Sequence, residues 1–277
     1  MLQYFLFPKK KRIDFRSNSV LKNKVILITG ATFGIGERTV YQLAQNNVTL
    51  ILVARTVEKL EFLKNDLEKK GAKVFIFPTN LYDLNETENL IKQIRSLNLE
   101  IDLIISNAGK SICRSLENSF DRFHDFTRTM NINYLSSVRL FLEFYPDLLK
   151  RNGQIINVSA LNVLLVPTPK WSAYQASKSA MDQWIRCNLP ELEANKIAIT
   201  QIYFPLVRTR MIAPNKNYAK TPAMDVEQAA NVICNAIMKR NRIWKPWWSI
   251  FAELGSFVFN NLWIRFHIYQ FKKEHND

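Results

Sequence analysis

Lys24-Val-Ile-Leu-Ile-Thr-Gly-Ala-Thr-Phe-Gly-Ile-Gly36 is the stretch that decides the fold. Val25 to Ile28 are continuously apolar, as a strand buried on both faces of a parallel sheet must be. Gly30, Gly34 and Gly36 follow at once, and a helical pattern begins near Ile35. Strand, glycine turn and helix together present backbone N–H groups to a pyrophosphate. A Cβ in that turn would block the phosphate or force a forbidden φ. The whole chain has only seven glycines, so three in one turn mark a requirement. The spacing is Gly-x3-Gly-x-Gly rather than the broader GxGxxG fingerprint.

Downstream, apolar runs alternate with segments of helical period. The pattern predicts strands over 24–29, 48–54, 73–77, 102–106, 154–158 and 197–203. It predicts helices over about 35–46, 56–70, 84–97, 118–150, 172–194 and 225–240. Such βαβ alternation implies an α/β fold, a doubly wound Rossmann-type parallel sheet with helices on both faces. The reading gives one domain over 24–242, with a basic and apolar extension over 1–23 and an aromatic, basic tail over 243–277. Ligands of such sheets bind beyond the carboxyl ends of the strands.

Tyr174 and Lys178 stand one helical turn apart in Tyr-Gln-Ala-Ser-Lys and share a helix face. An ammonium there favours the phenolate and is expected to lower the tyrosine's pKa. A tuned tyrosine suits the interconversion of a carbonyl and an alcohol. The second strand ends Leu52-Val53-Ala54-Arg55-Thr56, without the acid that would bind the ribose hydroxyls of NAD. Arg55 suits a 2′-phosphate instead, so the expected cofactor is NADP(H).

Composition narrows the classes further. The net charge is +14, but it gathers at the ends: residues 1–24 hold seven Lys/Arg and one Asp, and residues 239–277 hold seven Lys/Arg and three Asp/Glu. A nucleic-acid reader would carry that charge on its folded body, so no nucleic-acid partner is expected. The three cysteines, Cys113, Cys187 and Cys234, read as buried free thiols, and neither they nor the three histidines have metal-ligand spacing. Met1 to Phe7 are mostly apolar and precede the basic Pro8–Arg12, the reverse of a signal peptide. No apolar run reaches the roughly 18 residues of a spanning helix. The tail holds four of the six tryptophans. Aromatics mixed with Lys and Arg suit a membrane interface, a lid over the substrate cleft or a dimer contact. A cytoplasmic protein peripheral to the membrane is the expectation.

Four ordered motifs carry a resemblance: Thr-Gly-x3-Gly-Ile-Gly (29–36), Asn107-Ala108-Gly109, Asn133 in Asn-Ile-Asn-Tyr, and Tyr-x3-Lys (174–178). Together they resemble the short-chain dehydrogenase/reductase family over roughly residues 24 to 240. Ser119–Phe126, Gly153–Ser159 and Pro205–Pro214 further resemble its bacterial fatty acyl-CoA reductases, which reduce a long-chain acyl thioester to the aldehyde with NADPH. The resemblance implies that Tyr174 delivers the proton and that Lys178 tunes it and holds the nicotinamide ribose. It implies that Asn133 supports Lys178 through a water and that Val207 and Thr209 orient the carboxamide. Gly30, Thr32, Phe33, Gly34, Ile35, Gly36, Arg55, Asn80, Leu81, Asn107, Ala108 and Gly109 would complete the cofactor site. Asn80 stands where Asp is usual. Relatives carry two adjacent serines at the end of the fifth strand, the second of them catalytic, whereas this chain has Ser159-Ala160. The implied substrate is an apolar carbonyl, an acyl thioester or a fatty aldehyde. A hydroxysteroid, retinoid or 3-ketoacyl dehydrogenase, and a catalytically impaired membrane-associated scaffold, are the alternatives. The resemblance also implies a homodimer or homotetramer paired through the long helices.

Overall fold

The computed structural model describes residues 6–7, 19–44, 47–213, 218 and 220–276. Seven parallel strands lie in the order β3-β2-β1-β4-β5-β6-β7. They are β1 Val25–Thr29, β2 Thr49–Ala54, β3 Lys73–Pro78, β4 Leu103–Ser106, β5 Gln154–Ala160, β6 Ala198–Phe204 and β7 Ile243–Trp244. β1 lies at the centre, with Ile26 in register with Leu50 on one side and Leu103 on the other. The chain reverses its direction of travel across the sheet between β1 and β4, and this switch creates the crevice.

Strand alternation feeds two cores. Ile26 and Ile28 pack on the face covered by α1 Gly34–Leu43, α2 Val57–Glu68 and α7 Val226–Lys239. Val25 and Leu27 pack on the other, covered by α3 Leu84–Arg95, α5 Ser136–Arg151 and α6 Ser172–Ala194. All five residues of β1 are buried, which is why its sequence reads as an unbroken apolar run.

Three departures from the sequence reading stand out. The helix expected over 118–150 is two, α4 Phe123–Met130 and α5, joined by a π turn over Asn131–Leu135. A π turn widens the helix by one residue and commonly serves a functional site. β7 adds a two-residue strand beside β6 at the start of the tail. The tail then forms α8 Ser249–Val258 and α9 Asn260–Asn276. Cys234 is buried as expected, but Cys113 and Cys187 are exposed, because both fall on segments that face solvent.

From the N-terminal extension, Leu6 and Phe7 reach the body. Trp248 Nε1 donates to the Leu6 carbonyl at 3.3 Å, Gln228 Nε2 donates to the Phe7 carbonyl at 2.9 Å, and the Phe7 ring is buried. The basic cluster Lys9–Arg12 lies outside the described residues. Among the described residues no helix is long and apolar enough to cross a membrane.

Candidate active site

A cleft of about 1450 Å³ opens at the carboxyl ends of β1, β2, β4, β5 and β6. The glycine turn forms its floor. Gly30 has φ +67°, a conformation that side chains disfavour, and a Cβ there would stand 2.9 Å from Ala108 Cα. A Cβ on Gly36 would run into the Gly30 carbonyl oxygen, so α1 can start this close to β1 only with glycine. Thr32, Phe33, Gly34 and Ile35 line the cleft where the first N–H groups of α1 have no helical partners. Gly36 lies beneath them.

Asn107-Ala108-Gly109 is stitched to this turn. Thr29 Oγ1 accepts from the N–H groups of Asn107 and Ala108 at 3.1 and 3.0 Å, and Asn107 Nδ2 donates to the Thr29 and Gly30 carbonyls at 3.1 Å. Asn107 therefore braces the turn while Ala108 and Gly109 face the cleft with it. Gly109 leaves room for two polar groups: a Cβ there would lie 3.1 Å from Asn133 Oδ1 and 3.5 Å from Lys178 Nζ.

Asn133 sits in the π turn, buried behind the cleft wall. Its Oδ1 accepts from Lys110 N at 2.9 Å, and its Nδ2 donates to Lys110 O at 3.0 Å and to Ser177 Oγ at 2.9 Å. It thus ties the loop after β4 to α6 beside Lys178. Lys178 Nζ donates to the Val158 carbonyl of β5 at 2.9 Å. Tyr174 and Lys178 both line the cleft.

The lowered tyrosine pKa expected from the Lys178 charge does not hold here. Burial, with Tyr218 adding to it, pushes Tyr174 up to about 12. Burial pushes Lys178 down to about 8. Desolvation disfavours both charged forms, and it outweighs the attraction between neighbours. Trp171 packs edge-on against Tyr174, with ring centroids 5.8 Å apart, and stacks on Tyr218 at 6.3 Å. Trp171 stands at the start of α6, three residues before Tyr174, and that spacing was its only signal in the sequence; Tyr218 had none.

Ser159 and Ala160 both border the cleft. On β5, Asn157 Nδ2 donates to Gln201 Oε1, and Gln201 Nε2 donates to Asp182 of α6. Ser159, two residues on, shares that face, the side of the sheet that carries α6 and Tyr174. Val207 forms a parallel bridge with Met224, and Thr209 Cγ2 approaches Gly34; both line the cleft.

Arg55 borders the cleft beyond β2, its guanidinium 5.2 Å over the Tyr82 ring. Arg210, unread from the sequence, arrives from the loop after β6 and lies 3.1 Å over the Phe33 ring. Burial and the like charge of Arg55 lower the Arg210 pKa, so the two cations stand close together. Converging cations in a cleft are an anion site. Leu81 lines the wall; Asn80 is set back, its N–H donating to Glu86 and its Oδ1 accepting from Tyr82 N.

Residues 24–220 match the family described as short chain dehydrogenase. The chain is 48% identical to a fatty acyl-CoA reductase of Acinetobacter baylyi over 84% of its own length and 78% of that protein's. It is 35% identical to a fatty acyl-CoA reductase of Mycobacterium tuberculosis, over 79% of this chain and 75% of the other. A short-chain dehydrogenase from Sphingobium yanoikuyae, solved in complex with NADPH, superposes with a TM-score of 0.71 at 21% identity, covering 79% of this chain and 86% of that one.

Proposed function

The chain belongs to the short chain dehydrogenase family, and from that premise we propose an NADP(H)-dependent reductase of the carbonyl of a long-chain acyl thioester or fatty aldehyde. One observation carries the reading: Tyr174 and Lys178 face the same cleft as the glycine turn. The residues present fit the cofactor, since the turn is a cradle that a Cβ would fill and Arg55 and Arg210 converge where a 2′-phosphate needs countercharge. Bound there, NADPH supplies hydride to the carbonyl carbon. Glycine-turn N–H groups would hold its pyrophosphate, and Val207 and Thr209 would orient the nicotinamide end.

The chain's own residues manage the proton and the substrate. A phenol held up to about 12 by burial remains protonated at neutral pH and acts as the acid that reduction needs. It gives its proton to the carbonyl oxygen as the carbon is reduced. Lys178, kept ammonium below about pH 8, stabilises the tyrosinate left behind. Asn133 holds the Lys110 loop and α6 together around that ammonium. Ser159 is the hydroxyl suited to hold the carbonyl oxygen against Tyr174. With a thioester, the resulting hemithioacetal releases the thiol and leaves the aldehyde. Ile112, Leu161, Leu206, Met211, Ile212 and Trp171 give the cleft an apolar wall for a long chain. The names of the two relatives support the thioester.

Consumption of NADPH with palmitoyl-CoA or a long aldehyde tests this. Tyr174→Phe should lower turnover by about 10²–10⁴ while NADPH still binds. A protein that turns over no long-chain carbonyl overturns the reading. Ala160 supports the second reading, a nucleotide-binding scaffold of impaired activity. In the reductase, Ser159→Ala lowers kcat by about 10²–10³; in the scaffold, Ala160→Ser is the change that raises it.

We also infer that α8 and α9 meet a bilayer surface. Phe251, Leu254, Phe257, Leu262 and Tyr269 are exposed along them, with Arg265, Lys272 and Lys273 among them. Pairing of the chain into a homodimer or homotetramer through α5 and α6 belongs to the same reading, and sedimentation velocity decides it.

A further inference from the structure

Beside the main cleft lies a second recess of about 470 Å³. Its walls carry Arg114, Arg122 and Lys170 against one acid, Asp121. Cys113, Arg114 and Arg122 also line the cleft, so the two spaces are neighbours that share a wall. The cations are held in place. Arg114 Nε donates to Asp125 Oδ2 at 3.0 Å, and Arg122 Nε lies 3.7 Å from the same oxygen. Asp125 is buried, so one carboxylate orients two guanidiniums and balances only one of them. Arg122 Nε is buried and makes no hydrogen bond among the described residues, a costly state for a charged donor. The Lys170 carbonyl accepts from Arg114 N at 2.6 Å, joining the loops after β4 and β5, and its ammonium pairs with Glu274 of α9 at 3.3 Å. Lys110 and Arg128 extend the positive wall into the cleft.

We propose that this recess seats the phosphate groups of coenzyme A, the carrier of the acyl thioester. Guanidinium forks match phosphate oxygens in pairs, and Arg122 keeps part of its side chain open while sharing its carboxylate neighbour with Arg114. The pantetheine arm would then run from the recess into the cleft and bring the thioester carbonyl to Tyr174. The cofactor's own 2′-phosphate is met elsewhere, by Arg55 and Arg210, so the protein holds two anion sites for two nucleotides. A free fatty aldehyde has nothing to place in the recess, which makes it a selector for carrier-bound chains. This inference rests on the thioester reading above.

The test separates the two. The full chain, saturated with NADP+ to fill the cofactor site, is titrated calorimetrically with adenosine 3′,5′-bisphosphate, the phosphate end of coenzyme A. The wild type should bind, and R114Q/R122Q should bind about tenfold or more weakly, as loss of charge-assisted hydrogen bonds implies. In turnover, the double variant should raise KM for palmitoyl-CoA by about as much and leave kcat/KM for hexadecanal unchanged. Unchanged binding, or an equal loss on both substrates, overturns the site. R114Q/R122Q leaves Asp125 less well paired and can fold poorly; K170Q, whose partner is on the surface, should then show about a threefold loss in the same two measurements. If the wild type reduces hexadecanal but not palmitoyl-CoA, the thioester reading fails, and the titration alone judges the recess.

Discussion

Lys178 is buried as an ammonium that donates to the Val158 carbonyl, and the molecule bears a stability cost for the lost hydration. Its folded pKa of about 8 lies below the unfolded 10.5. Between those values the unfolded chain binds the extra proton, so stability rises with pH across this window. Below about pH 8 the full cost is present. Lys178→Met should therefore be more resistant to urea than wild type at pH 7, by roughly 1–3 kcal/mol, with the gain shrinking toward pH 10. A variant less stable than wild type at pH 7 would refute the assignment. Turnover should fall as pH rises through about 8, where the ammonium is lost. The residue types of this centre were legible in the sequence, since Tyr-x3-Lys needs only one helix to bring them together. Their ionisation was not, because it follows from burial in the folded chain, where Trp171 packs on the phenol and Tyr218 adds an unfavourable electrostatic contribution. Arg210 was hidden for a related reason: only the loop's return over Phe33 brings it beside Arg55. Arg55→Gln and Arg210→Gln should each weaken NADPH binding about tenfold and leave NADH nearly unaffected, read by fluorescence titration. Equal losses for both nucleotides would assign the arginines to the pyrophosphate.

Elements written by periodicity alone came through to the structure. β1 and the parallel alternation were legible because β1, β2, β4, β5 and β6 are buried almost throughout. The π turn between α4 and α5 was not, because nothing in Asn-Ile-Asn-Tyr distinguishes it from ordinary helix. The turn accompanies a tertiary demand: Asn133 bonds both backbone polar atoms of Lys110 and reaches Ser177. Asn133→Ala leaves a buried N–H and a carbonyl without these partners and should cost about 1–3 kcal/mol. It should also loosen the loop after β4, measured as faster amide exchange at Lys110. β7 escaped because two residues carry no period, and Trp244 reads as tail until it is seen against Phe204.

At the scale of the molecule, the tail and the cleft are one construction. Val166 N donates to Ser256 Oγ at 3.1 Å and Trp263 Nε1 donates to the Pro167 carbonyl at 3.2 Å, so α8 and α9 hold the loop that leads to Trp171 and Tyr174. The net charge of +14 suits an anionic surface. The full chain should cosediment with phosphatidylglycerol vesicles, less at high salt. Phe251→Ser/Phe257→Ser removes rings that are 69% and 86% exposed, so it should weaken that binding about tenfold or more without lowering thermal stability. Undiminished binding would remove the bilayer from the reading and leave these rings to a partner subunit. If α8 and α9 do rest on lipid, the loop they hold sets the site at the edge of a two-dimensional solvent. The concentration that governs turnover is then moles of substrate per mole of lipid. Adding inert phospholipid to a fixed amount of long-chain substrate should slow the reaction, although nothing in the aqueous phase has changed.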